Sequence, residues 1–217
     1  MLVSSKELYR AAREKNFAFP AANFVDQLSA SAHIAVAEKL GLPLVLAFAQ
    51  VHQQFLSFDE AIAIGQYYAE SAKVPVVLHL DHGTDKDFIF KAIDSGFSSV
   101  MIDASAESFE ENVRRTKEIV DYAHLRGVVV EAELGQLAGI EDAVNVSEKD
   151  ACYTDPNQVE EFVSRTGVDS LAIAIGTSHG AFKFKTAPRL RFDILEEVGK
   201  RLPGFPIVLH GASSIPQ

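Results

Sequence analysis

The chain has 217 residues, of which 47% are hydrophobic and 23% charged, with 13 Gly and 8 Pro, an ordinary globular composition that excludes a disordered or fibrous protein. Twenty Lys and Arg stand against thirty Asp and Glu, a formal charge of −10; this argues against a nucleic-acid partner or an anionic membrane surface, and leaves a small anionic substrate open, because a metal or a helix N-terminus sets the local field. The single Cys152 excludes an internal disulfide framework and fits a reducing compartment.

The first residues after Met1, LVSSKELYRAAREK, carry charges where a signal peptide needs an apolar stretch, and no apolar run is long enough to span a bilayer, so a cytoplasmic protein is expected. Seven short apolar runs follow in order: Ala21 to Phe24, Pro43 to Ala49, Pro75 to Asp81, Ser99 to Ala104, Val128 to Leu134, Ser170 to Ile175 and Pro206 to His210. Most lack polar alternation, so they read as parallel strands covered on both faces. Helical spacing fills the gaps at Ser29 to Leu40, Phe58 to Ser71, Asp85 to Ser95, Ser108 to Arg126, Asp155 to Thr166 and Asp193 to Leu202, several with a capping residue at the start and a glycine near the end. Repeated βα units predict an α/β fold with a parallel sheet, and one domain over 1–217. A (β/α)₈ TIM barrel usually takes about 250 residues, so the length is short for a closed one. The longest irregular stretch, about Gln136 to Tyr153, reads as a functional loop.

Ligands of parallel α/β folds bind at the carboxyl ends of strands. Three strand ends here deliver a His beside a Gly: His82-Gly83, His179-Gly180 and His210-Gly211. The separations, 97 and 31 residues, correspond to roughly three βα units and one, which places the rings at one rim. Three imidazoles with an open fourth position are a catalytic zinc arrangement. Asp81 precedes His82, and the pleat sends neighbours to opposite faces, so both reach a site only if the strand ends between them, with Gly83 as the exit. His79 lies one pleat deeper, a packing or supporting position. Asp103, Glu131 and Glu133 add carboxylates at the next strand ends, where burial is costly unless they are paired or metal-bound; pairing with Lys or Arg is the alternative for Asp103 and Glu131. The small-residue turn Gly211-Ala212-Ser213-Ser214 suits a phosphate, with Lys183 and Lys185 as possible cationic contacts.

The blocks HLDHG at 79–83, SVMIDAS at 99–105, FEEN at 109–112, VEAELGQLAGIED at 130–142, AIGTSHGAFK at 174–183 and PIVLHGAS at 206–213 resemble the metal-dependent class II ketose-bisphosphate aldolases, the fructose- and tagatose-bisphosphate enzymes. The resemblance implies a (β/α)₈ barrel, usually a homodimer, with catalytic Zn²⁺ or another divalent ion and often a monovalent cation near the phosphate. It implies His82, His179 and His210 as metal ligands, Asp81 as acid/base at the C4 oxygen, and Glu141 as the group that exchanges a proton with the enediolate carbon. Asn23, Gly180, Lys183, Gly211 and Ser213 match substrate and phosphate positions; Asp103 and Glu133 match polar residues around the metal. The reaction implied is reversible retro-aldol cleavage of fructose- or tagatose-1,6-bisphosphate to dihydroxyacetone phosphate and glyceraldehyde 3-phosphate, in carbohydrate metabolism. A Schiff-base aldolase needs a Lys at a strand end, and none of the apolar runs ends in one.

Two departures stand out. Where family members carry Ser or Thr at the end of strand two, this chain reads Ala49-Gln50-Val51-His52, which leaves Gln50 and His52 as the polar residues there. The family continues past the HGAS turn with an eighth strand and C-terminal helices, whereas this sequence stops at Gln217, so the barrel domain is expected to be C-terminally incomplete. The alternative function is a non-catalytic metal- or sugar-phosphate-binding remnant, against which the retained acid/base pair argues. A metal-dependent barrel hydrolase shares the His and carboxylate inventory without explaining the contiguous blocks. Choice between the two bisphosphates rests on C4 stereochemistry, which no residue type decides.

Overall fold

A computed structural model describes residues 1–136, 153–178 and 190–212, together with the backbone of 138–141, 144–146 and 179. They divide into two compact units, Met1–Ile102 with Glu118–Val130, and Asp103–Lys117 with Glu131–Gln217. All seven apolar runs become strands: β1 Ala21–Asn23, β2 Leu44–Ala49, β3 Val76–Gly83, β4 Ser99–Ile102, β5 Val129–Leu134, β8 Ser170–Ile173 and β10 Ile207–Val208. The intervening β6 Ala138–Glu141, β7 Val144–Val146 and β9 Ser178–His179 form a second, small sheet. The large sheet has the strand order β1-β2-β3-β4-β5-β8-β10.

In the first unit β1, β2, β3 and β4 pair in parallel, with Ala21 opposite Val45 and Leu44 opposite Val76. Every residue of β2 and β3 is buried, so both faces of these strands are covered, which is why the segments lack polar alternation. Leu46, Phe48, Leu78 and Leu80 are fully enclosed. In the second unit β8 pairs in parallel with β5 and β10, and Phe162, Leu171 and Val159 centre its core.

Local chemistry starts the helices. In α2 (Gln27–Leu40) and α3 (Phe58–Ser71) a capping box opens the first turn, Asp26 with Ser29 and Ser57 with Glu60; Asp85 caps α4 (Lys86–Asp94) by accepting from the Phe88 N–H at 2.8 Å. Pro75 follows α3 at the distance expected of a helix stop. The helix after β4, α5 (Phe109–His124), lies within its expected bounds, and α7 (Phe192–Arg201) is within a residue of them.

The structure differs from the sequence expectation at three places, the first two for local reasons. The N-terminal segment, read only as too charged for a signal peptide, forms α1 (Ser5–Lys15): Ser4 caps it, Glu7 lies in the first turn, Arg13 and Lys15 lie in the last, and Leu8 packs on Val45 and Val77. The helix expected from Asp155 begins later, as α6 (Val159–Thr166), because the Asp155 carboxylate accepts from the Asn157 N–H at 2.9 Å and holds an Asx turn. Within the stretch read as irregular, β6 and β7 pair antiparallel, Glu141 opposite Val144, and β6 pairs in parallel with β9.

Candidate active site

In the first unit the site is built where β2 ends, Ala49 opposite Asp81 of β3. Leu80 faces Val100 of β4, but the next matched pair is Gly83 with Ile102, so β3 carries one residue more than its partner over this step. That is a β-bulge, and His82 occupies it with φ of 43°, a left-handed conformation unusual for a residue with a Cβ. The bulge breaks the pleat's alternation. Asp81 and His82, adjacent in sequence, therefore lie side by side, His82 Nε2 3.8 Å from Asp81 Oδ1, and both are buried. The expectation that the strand ends between them is corrected: it runs on to Gly83, and the bulge does what termination was to do.

Asn23, at the end of β1, donates from Nδ2 to Asp81 Oδ2 at 2.8 Å and so orients the carboxylate. The Asn23 carbonyl is in turn 3.1 Å from His33 Nε2 on α2. His79 is buried with Nδ1 2.8 Å from the Ser99 hydroxyl, in keeping with a supporting role deep in the strand.

In the second unit β5 presents Glu131 and Glu133 two residues apart, both buried. Glu131 Oε1 is 2.8 Å from His210 Nε2, beyond the end of β10, and Glu131 Oε2 accepts weakly from the Ser170 hydroxyl at 3.4 Å. Among the described residues, the partners of this carboxylate include an imidazole and a hydroxyl. Asn112 donates to the Glu133 carbonyl at 2.9 Å and accepts from the Thr116 hydroxyl at 3.1 Å, so α5 pins the end of β5. Asp103, just past β4, accepts from the Ser105 N–H and hydroxyl at 3.0 and 2.7 Å. Gly211 has φ of 67°, and a Cβ there would lie 2.7 Å from the Ser178 carbonyl oxygen.

The backbone of His179 lies on β9 opposite Gly139, and Glu141 lies two residues further along β6. Gly180, Lys183, Lys185 and Ser213 fall outside the described residues. Sequence reasoning missed Asn112 and Thr154. Asn112 lay inside the FEEN block; Thr154 stands beside the Asx turn, its hydroxyl donating to the Leu134 carbonyl at 2.5 Å and accepting from the Ala174 N–H at 2.8 Å.

The strand ends of a parallel α/β sheet are where ligands bind, and here they carry imidazoles and buried carboxylates, residue types that can ligate a metal. Comparison with known proteins narrows it. The family model for class-II fructose-bisphosphate aldolase matches residues 3–217. A fructose-bisphosphate aldolase of Helicobacter pylori is 46% identical over 217 residues, covering 100% of this chain and 70% of that protein. That of Thermus caldophilus is 45% identical with the same coverage. The D-tagatose-1,6-bisphosphate aldolase subunit GatY of Klebsiella oxytoca is 40% identical, covering 99% of this chain and 75% of that one. Among solved structures, the YdjI aldolase of Escherichia coli K12 superposes with a TM-score of 0.86 at 37% identity, over 100% of this chain and 75% of that one. The crystal structure of a putative fructose-1,6-biphosphate aldolase from Coccidioides immitis gives 0.87 at 33% identity, over 96% of this chain and 73% of that one. The chain belongs to the class II fructose-bisphosphate aldolase family, a family of aldehyde-lyases.

Proposed function

We propose that the protein is a class II ketose-1,6-bisphosphate aldolase that reversibly cleaves fructose- or tagatose-1,6-bisphosphate between C3 and C4. The observation that carries this reading is the bulge at His82, which sets an acid/base carboxylate and a metal-type donor side by side, with Asn23 orienting the carboxylate.

His82, His179 and His210 would hold Zn²⁺ or another divalent ion. The donor chemistry fits: Glu131 on one ring nitrogen of His210 is the carboxylate–imidazole pairing that fixes and strengthens metal-ligating histidines. When bound, the ion supplies Lewis-acid stabilisation of negative charge developing toward the C2 carbonyl. Asp81 takes the proton from the C4 hydroxyl as the C3–C4 bond breaks and the C4 aldehyde forms, and returns it in the condensation direction. Glu141 exchanges a proton with C3 of the three-carbon product. Asn23, Gly180, Lys183, Gly211 and Ser213 bind the sugar and its phosphate, with a monovalent cation beside the latter; Asp103 and Glu133 support the metal or offer it an alternate position. A cytoplasmic homodimer working in carbohydrate metabolism completes the reading. Among the described residues no helix is long and apolar enough to cross a membrane.

Coupled assays with both epimers and added Zn²⁺ test the reaction. Turnover of at least one epimer, abolished by exhaustive EDTA and unaffected by borohydride, is expected. Full activity after EDTA overturns the metal assignment, and turnover of neither epimer overturns the reaction.

A further inference from the structure

The bulge at His82 needs support. A residue with a Cβ resists a left-handed φ, so neighbouring contacts must hold it there. Its entry is fixed by the pairing of Ala49 with Asp81. Its exit is tight: a Cβ on Gly83 would lie 2.7 Å from both the Met101 carbonyl oxygen and Ile89 Cγ1. Immediately beyond, the Thr84 and Asp85 N–H groups donate to one atom, Gln50 Oε1, at 2.9 and 3.2 Å. Gln50 opens the short 3₁₀ helix Gln50–Gln54 that follows β2. Two N–H donors on one atom assign it as the amide oxygen. Asp85, held by this bond, is also the residue that caps α4.

We propose that Gln50 is a positioning residue: its side-chain oxygen clasps the Thr84–Asp85 turn and so keeps His82 in the bulge, beside Asp81. The end of strand two, where the chain departs from the Ser or Thr of the family, thus acts on the site through the next turn. The inference rests on the roles proposed for Asp81 and His82.

Two variants of the full protein test it. Gln50→Met keeps the length and removes the acceptor; Gln50→Glu keeps an acceptor oxygen. Amide hydrogen exchange at Thr84 and Asp85, zinc affinity by competition with a chromogenic chelator, and kcat and KM are measured on each. Gln50→Met is expected to speed exchange at both amides and to lower zinc affinity and kcat about tenfold, the range for residues that orient metal ligands, while KM stays within about twofold. Gln50→Glu is expected to restore slow exchange and most of kcat. Faster exchange in Gln50→Met with zinc affinity and kcat unchanged would show a merely structural clasp and overturn the proposal. A change confined to KM would mark a substrate contact and overturn it equally. If the unmodified protein binds zinc but cleaves neither bisphosphate, the proposed reaction fails, and the Gln50 proposal is decided by zinc affinity and exchange alone. A protein that does not bind zinc overturns both.

Discussion

Three glycine-to-alanine substitutions separate backbone strain from steric crowding, and the separation matters at Gly211. Gly41, after α2, has φ of 64° and nothing within 4 Å of a built Cβ. Alanine there pays only the left-handed penalty of about 1–2 kcal/mol, offset by about 0.4–1 kcal/mol from the stiffer unfolded chain, so a loss of about 1 kcal/mol is expected. Gly83 carries no such φ, but its Cβ would meet the Met101 oxygen and Ile89 at 2.7 Å, where ordinary contact begins at 3.4 Å. Overpacking of this kind costs about 1–3 kcal/mol. Gly211 combines both effects: φ is 67°, and the Cβ would meet the oxygen, carbon and nitrogen of Ser178 at 2.7, 2.9 and 3.0 Å. Those are backbone atoms, which cannot rotate away. The expected loss for Gly211→Ala is therefore about 2–4 kcal/mol, the sum of the other two. Urea unfolding followed by far-ultraviolet circular dichroism measures all three, with an unchanged m value showing that the unfolding transition itself is unaltered. Because Ser178 begins β9, yielding at this contact displaces the His179 backbone, and activity should fall further than stability alone explains. A Gly211→Ala loss equal to that of Gly41→Ala would refute the close approach.

Three further outcomes are expected. Thr154→Val removes a buried hydroxyl that bridges the Leu134 carbonyl and the Ala174 N–H; unfolding should cost about 2–4 kcal/mol less, with Thr154→Ser restoring most of it, and a loss below about 0.5 kcal/mol would refute the bridge. Asn23→Ala frees one oxygen of Asp81 from its orienting donor; a hydrogen bond to a charged group is worth about 1.5–3 kcal/mol, so kcat/KM should fall about 10- to 100-fold with zinc affinity little changed, and steady-state kinetics showing no fall would refute it. The Ser57 hydroxyl and N–H hold the Glu60 carboxyl below its ordinary value of 4.5, so the stability it gives α3 is fully present above that pH and is lost as pH falls through the lowered value. The stability difference between the unmodified protein and Glu60→Gln should accordingly be constant near neutrality and shrink in acid; a difference that grows in acid would contradict the sign.

What could be read from the sequence is what depends on near neighbours. The strands were legible because burial on both faces turns them into unbroken apolar runs, as in Leu44–Ala49, and the helix starts because Ser57 and Glu60, or Asp26 and Ser29, are three residues apart. Counting βα units placed histidines at strand ends, yet the count says nothing about how two adjacent side chains share one face. That is settled at His82 by the mismatch between β3 and β4, a property of paired strands that the letters HLDHG do not contain. The same limit hides the contact of Glu131 with His210, 79 residues away, and the clasp of Gln50 on a turn 34 residues further on. The pairing of β6 with β9 was invisible for the same reason, although it carries Glu141 and His179 on neighbouring strands. Residue types thus announce which chemistry is present, while register, bulges and side-chain to backbone bonds decide which groups can act together. Gln50→Met tests that division directly, since it leaves every residue assigned to the chemistry in place and alters only the contact that holds one of them.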